Sequence, residues 1–243
     1  MNKTILMLFF LLLVRAGMAQ TEVKDLMYKA YLTSSREEWE KALETQLRSV
    51  NGHQDFNSQM QLAYCYFSLL NGTLATHDKA FFYRHLDPAK QLVKQLIESN
   101  ENSGEAKAIL SAIYGIEISH SPIKGMMLGS KSSGLAEKAK ILKPDSPLVM
   151  RVYAANKFYT PTTFGGDVKI AIGALYNSIS LFERQPDKIL HDWLYLDTLA
   201  LLGQALEKDK QTARAIEIYE KALKIEPRFN WVKQVLLPRA LTR

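Results

Sequence analysis

Disulfides cannot hold this chain together, because its 243 residues include a single cysteine, Cys65. One thiol has no internal partner, so stability has to come from an apolar core. Cys65 lies inside LAYCYFSLL, an apolar run of helical character, and reads as packing rather than chemistry. Metal chemistry is equally poorly provided for. The five histidines, His53, His77, His85, His120 and His191, are scattered along the chain. None is paired at the i, i+4 spacing with an intervening Glu that zinc hydrolases use, and no His–Cys cluster exists. The sequence also lacks a Gly-x-Ser-x-Gly frame and a Gly-rich loop ending in the Lys and Ser/Thr that cradle a phosphate. Gly-Gly-Asp at 165–167 is followed by Val168 and Lys169, where nucleotide cyclase chemistry requires an acid and an aromatic. No constellation of nucleophile, base and orienting group is visible, so the expectation is no catalytic residues, no metal and no cofactor. Charge is also modest. The formal charge is +6 and no run of five like charges occurs, which argues against nucleic acid as a partner. Loose association with an anionic membrane surface remains open.

The N-terminus carries the longest apolar run. Lys3 precedes Ile5–Val14, and Gly17 and Ala19 are small residues at cleavage positions. This is the layout of a secretory signal, cut before Gln20. The run is too short for a membrane-spanning helix, which takes about 20 apolar residues. A retained anchor is the alternative, since Arg15 follows the run. No Cys follows it, which excludes a lipid anchor there. The expected organisation is a leader over 1–19 and one domain over 20–243, exported to the periplasm or secreted. Loss of Lys3 and Arg15 with the leader lowers the formal charge to +4.

Nearly all of the remaining chain has helical periodicity. Helices are expected over Glu22–Thr33 and Arg36–Val50, the second capped by Ser34 or Ser35 and stopped at Asn51-Gly52. Phe56–Leu70 follows, ended by Asn71-Gly72, then a short helix over Asp78–Leu86 and a further one opened by Pro88. Glu105–Ile118 and Gly134–Leu142 flank a Gly-rich segment, Ser119–Gly134, expected to be a loop or broken helix. Leu148–Phe158 and Asp167–Phe182 are joined by YTPTTFGG. Residues Leu190–Pro227 form the clearest unit, and Trp231–Leu241 is placed to cap the end.

In that clearest unit Leu199, Leu202, Gly203, Leu206, Ala215, Tyr219, Ala222 and Pro227 stand at the spacings of one helix-turn-helix repeat of about 34 residues. It resembles the tetratricopeptide-repeat (TPR) superfamily, most closely over 196–229. Leu62, Ala63 and Tyr66, with Leu110, Ser111 and Tyr114, echo it in earlier helices. Such a unit cannot bury its apolar face alone, so stacked neighbours are required. The resemblance implies an all-α, right-handed α-α superhelix of four to five hairpins with diverged repeats. Pro161, Gly165, Gly166 and Asp167 also resemble exported bacterial solenoid proteins, among them the helical component associated with periplasmic solute transporters.

The resemblance further implies a non-catalytic scaffold that binds a partner protein or peptide along its concave face. By the repeat's spacing that groove is lined by Asn57, Tyr64, Lys157, Asp197, Gln204 and Glu207. A second set lies in loops. Met126 and Met127 either form an adaptable apolar surface or tuck back as filler. Tyr159 and Phe164 either offer apolar contact at the groove edge or serve the turn. Lys124 and Lys131 flank the methionines. The leading expectation is an interaction scaffold of the bacterial cell envelope. The alternative is a solute-handling helper with an apolar pocket near 119–134 and 159–167.

Overall fold

The computed structural model describes residues 20–51 and 55–242. The leader expected over 1–19, with Gly52 and His53, lies outside the described residues. Among those described the architecture is all helical, with no strand. Helix α1 covers 20–33. It is followed by α2 (Arg36–Val50), α3 (Phe56–Thr76), α4 (Lys79–Ser99), α5 (Gly104–His120) and α6 (Gly125–Leu142). Then come α7 (Pro147–Tyr159), α8 (Val168–Glu183), the single turn α9 (Pro186–Ile189), α10 (Trp193–Lys208) and α11 (Thr212–Ile225). A π-turn over Val232–Leu236 leads into α12 (Leu237–Leu241).

The starts of these helices follow from short polar side chains. Ser35, Asp55, Asp78, Ser103, Asp167 and Asp192 each accept a hydrogen bond from a backbone N–H of the first turn. Asp192 takes two, from Leu194 at 2.9 Å and Tyr195 at 3.1 Å. The pairs α3/α4, α5/α6, α7/α8 and α10/α11 form antiparallel hairpins. The first helix of each hairpin also packs on the first helix of the next, and the second helix packs on the first helix that follows it. That ladder makes an α-solenoid, with α2 against α3 at one end and α12 with the π-turn against α11 at the other.

Close helix crossings are set by glycine at two points. A Cβ on Gly203 would lie 2.1 Å from Tyr219 Cε1, so α10 and α11 can pack only because position 203 has no side chain. At Gly72 a Cβ would lie 2.4 Å from Trp39 Nε1. That contact corrects the expected stop at Asn71-Gly72. Helix α3 runs on to Thr76 and ends where His77 turns left-handed at φ 54°.

One further expectation needs correction, and one resolves between its alternatives. Pro88 does not open a new helix but sits inside α4. The α4 backbone is held by buried Phe81, Phe82, Leu86, Ala89, Val93 and Leu96, while Pro88 and Arg84, whose carbonyl loses its donor, both face water. For Ser119–Gly134 the loop alternative falls and the broken helix holds. It continues α5, makes one 3-10 turn at Pro122–Lys124 and enters α6. Ser111 and Ser132 tie the two helices together, each hydroxyl donating to the other's carbonyl at 2.8 and 2.9 Å.

Candidate binding surface

Helix α1 packs against α10 and the segment that follows α11. Val23, Leu26, Met27, Tyr28 and Ala30 are buried. The Tyr31 ring meets Trp193 at 5.5 Å and Phe229 at 5.6 Å, and Trp193 in turn meets Tyr64, Phe67 and Trp39. Polar contacts fix its register. The Tyr31 hydroxyl donates to Asp197 Oδ1 at 3.1 Å, and the Tyr28 hydroxyl to Glu226 Oε2 at 3.1 Å. His191 Nδ1 lies 2.7 Å from Asp25 Oδ1, with the imidazole stacked on Tyr28. The inner surface of the solenoid is therefore covered, over this stretch, by the chain's own N-terminal helix.

That arrangement decides the fate of the expected groove residues. Asp197 is buried and ion-paired with Arg151, whose Nε donates to Oδ2 at 2.9 Å. Burial alone lowers the Arg151 pKa, but Asp197 outweighs it and the guanidinium is held charged. Burial, then Asp197, raises Tyr31 well above the ordinary phenol range. Tyr64 is likewise raised by burial, with its ring 6.1 Å from Trp193. Glu207 is buried and accepts from Tyr219 at 2.6 Å and Arg239 at 2.7 Å. Lys157 donates to the Gly165 carbonyl at 3.3 Å and pairs with Glu137 at 2.9 Å, bracing the α7–α8 turn. Gln204 is half-buried and donates to the Ala200 carbonyl of its own helix. Only Asn57, at the start of α3, is fully exposed. As free groove groups Asp197 and Glu207 are corrected: both are internal counter-ions.

The loop residues behave differently. Met126 is 90% exposed and Phe164 78%, with Met127 and Tyr159 also open. Ile123, 81% exposed, belongs with them and was not singled out from the sequence. Its signal was a β-branched residue between Pro122 and Lys124 with no helical period to bury it. Ile123 and Phe164 lie in the 3-10 turns between α5 and α6 and between α7 and α8, Met126 and Met127 in the first turn of α6 and Tyr159 at the end of α7, which topology places at one edge of the solenoid. Lys124 Nζ sits 5.4 Å over the Tyr83 ring, linking the α5–α6 turn to the first turn of α4 at that edge.

The α7–α8 turn is built rigidly. Gly165 has φ 89°, and a Cβ on Gly166 would lie 1.7 Å from the Thr160 carbonyl oxygen. The amides of Phe164 and Gly166 both donate to the Pro161 carbonyl, and that of Asp167 to Lys157. Gly-Gly and Asp167 thus serve the backbone, while Phe164 is presented outward.

Two clefts are notable among the described residues. One of about 220 Å³ is lined by Tyr28, Ile189, Leu190, His191, Tyr195 and Ile225, among others. The other, about 340 Å³, is lined by Tyr114, Ser130, Lys131, Gly134, Leu135 and Lys138. Neither includes Met126, Met127, Tyr159 or Phe164. Among the described residues no three His, Cys, Asp or Glu side chains are grouped to hold a metal, and no helix is long and apolar enough to cross a membrane.

No family model and no curated protein matches this chain. Solved structures do. A thermophilic TPR protein of Thermus thermophilus superposes with a TM-score of 0.62 at 15% identity, over 92% of this chain and 100% of that one. The fold is TPR-like. HusA, a haemophore of Porphyromonas gingivalis, shares this TPR-like fold with a TM-score of 0.60 at 19% identity, over 79% of this chain and 95% of its own. The all-α solenoid expected from Leu199–Pro227 is thus the observed one.

Proposed function

We propose that this TPR-like chain is a non-catalytic interaction scaffold, exported to the cell envelope of a bacterium, that docks a partner protein on its turn edge. One observation carries the reading. The inner surface along α10 is covered by α1, while Ile123, Met126, Met127, Tyr159 and Phe164 expose large apolar surface at a single edge. Monomeric proteins rarely leave such residues together unless something covers them. Methionines in the first turn of α6 adapt to a partner's shape, and the rigid Phe164 turn offers an anchor. A photo-crosslinking residue at Phe164 or Met127, introduced in the native host, should capture a protein. The same residue at Asn57, at the opposite end of α3, should not. Equal capture from all three positions, or none, refutes the edge.

A second reading has one specific support. HusA is a haemophore, and it shares this fold. Methionine and tyrosine are both ligands of haem iron, so the exposed Met126, Met127 and Tyr159 offer chemistry for an apolar, metal-bearing solute. Titration of haemin into the purified protein tests it. A Soret shift lost on M126A/M127A/Y159F favours solute carriage, and an unshifted spectrum leaves the partner protein.

A further inference from the structure

The second helices of the hairpins face outward, and α6 differs from the others in what it exposes. The open positions of α4 mix both signs, with Arg84 and Lys94 beside Asp87 and Glu98. Those of α11 do the same, with Arg214 and Lys224 beside Glu217 and Glu220. Helix α6 exposes Met126, Met127, Lys131, Lys138, Ile141 and Leu142, with one acid whose side chain is 45% exposed. Its one carboxylate, Glu137, is paired across to Lys157 at 2.9 Å. Lys131 and Lys138 have no acidic partner among the described residues, whereas Lys124 is paired to Glu117 at 2.7 Å and Lys143 to Asp145 at 3.6 Å.

These positions form a stripe. Met127, Lys131, Gly134, Lys138 and Ile141 recur every three or four residues, so they share one face over about 21 Å of helix. Apolar side chains stand at both ends and cations between them. The 340 Å³ cleft lies in the middle of the stripe, with Tyr114 and Leu135 in its wall. Gly134 has nothing within 4 Å of where a Cβ would stand, so the cleft is open toward solvent there.

We infer that the outer face of α6 docks an acidic amphipathic helix of a partner protein. This rests on the reading of the chain as an interaction scaffold and names the partner's chemistry. The two apolar ends anchor about four turns of a facing helix, and its acids lie opposite Lys131 and Lys138. The cleft accepts one apolar side chain between them. Such charge complementarity fixes orientation and speeds encounter, while the anchors hold the complex.

The test uses two labelled synthetic peptides of about 20 residues with one leucine stripe, differing only in Glu or Lys at the polar positions, and fluorescence anisotropy at low salt. The Glu peptide should bind the purified protein about tenfold more tightly than the Lys peptide, and K131E/K138E should reverse that order. Gly134→Trp fills the cleft mouth in open space, so it should leave the melting curve unchanged and weaken the Glu peptide about tenfold. Equal binding of both peptides, or an unchanged Glu-peptide affinity in K131E/K138E, overturns the inference. So does tighter, lysine-dependent binding to phosphatidylcholine vesicles containing one-fifth phosphatidylglycerol, which assigns the face to a membrane. If the unmutated protein fails to bind the Glu peptide while Phe164 and Met127 still capture a protein, the scaffold reading stands and the acidic helix falls.

Discussion

Replacing Asp197 with alanine should damage this protein more than any surface change, because Asp197 holds α1, α7 and α10 together. Arg151 and Asp197 are both nearly buried, at 8% and 7% exposure. The Arg151 Nε donates to one carboxylate oxygen at 2.9 Å and the Tyr31 hydroxyl to the other at 3.1 Å. Asp197→Ala leaves a guanidinium charged and without its partner, at a cost of about 3–5 kcal/mol. The orphaned Tyr31 hydroxyl adds about 1 kcal/mol. For a domain of this size the sum corresponds to a fall in Tm of about 10 °C. Asp197→Asn keeps an acceptor and should cost less. The decisive variant is R151M/D197L, which removes both charges and refills the volume, and which should recover most of the loss. Urea unfolding followed by tryptophan emission reads the effect, since Trp193 packs beside Tyr31. A loss below about 1 kcal/mol in D197A, or no recovery in the double variant, refutes a buried pair as the link between α1 and the solenoid.

Three further outcomes follow from other contacts. Gly203→Ala drives a methyl into the Tyr219 ring and should destabilise by about 1–3 kcal/mol, whereas Gly173→Ala, which meets open space within α8, should stabilise by about 0.5–1 kcal/mol in the same melt. The hydrogen bond from Arg228, backed by Tyr28 and opposed by burial, lowers the Glu226 pKa from 4.5 to about 2. A depressed carboxylate contributes its full stability above its unfolded value and loses it as the pH falls from 4.5 toward 2. That contribution is about 2 kcal/mol after allowance for the exposed Arg228, and Glu226→Gln should remove this part of the acid dependence. Burial pushes the Cys65 thiol up to about 12. An aromatic disulfide reagent at pH 8 should therefore leave Cys65 unmodified until urea unfolds the protein, and rapid native labelling contradicts its burial.

Legibility in the sequence varied with how local the physics is. Helix α2 is bounded as expected because its cap Ser35 and its apolar period are both local. The α10/α11 hairpin was legible because Gly203 and Tyr219 must meet for the helices to cross. Gly72 misled for a tertiary reason. It reads as a stop but is a landing place for Trp39, which lies 33 residues earlier in the chain. Pro88 misled because one exposed proline is tolerated when six buried side chains hold the helix around it. The Gly-rich 119–134 segment reads as a loop or a broken helix, and the Ser111–Ser132 exchange with the buried Ala136 and Ala139 decides for the broken helix. The expected groove failed for a third reason. Repeat spacing places Asp197 and Glu207 toward the inner surface, but it carries no information that α1 and the C-terminal segment return to cover them. The exposed Met126, Met127, Tyr159 and Phe164 were legible as unusual, because no period assigned them to the core.

Helix α1 covers the inner surface along α10, which moves binding to the turn edge and the outer face. Hydrogen exchange of the amides of residues 23–31 in the purified protein tests it most directly. The account requires them to be protected as strongly as those of α10, opening only with global unfolding. Exchange at the rate of an unstructured peptide, with α10 still protected, contradicts it and returns the inner surface to an outside partner.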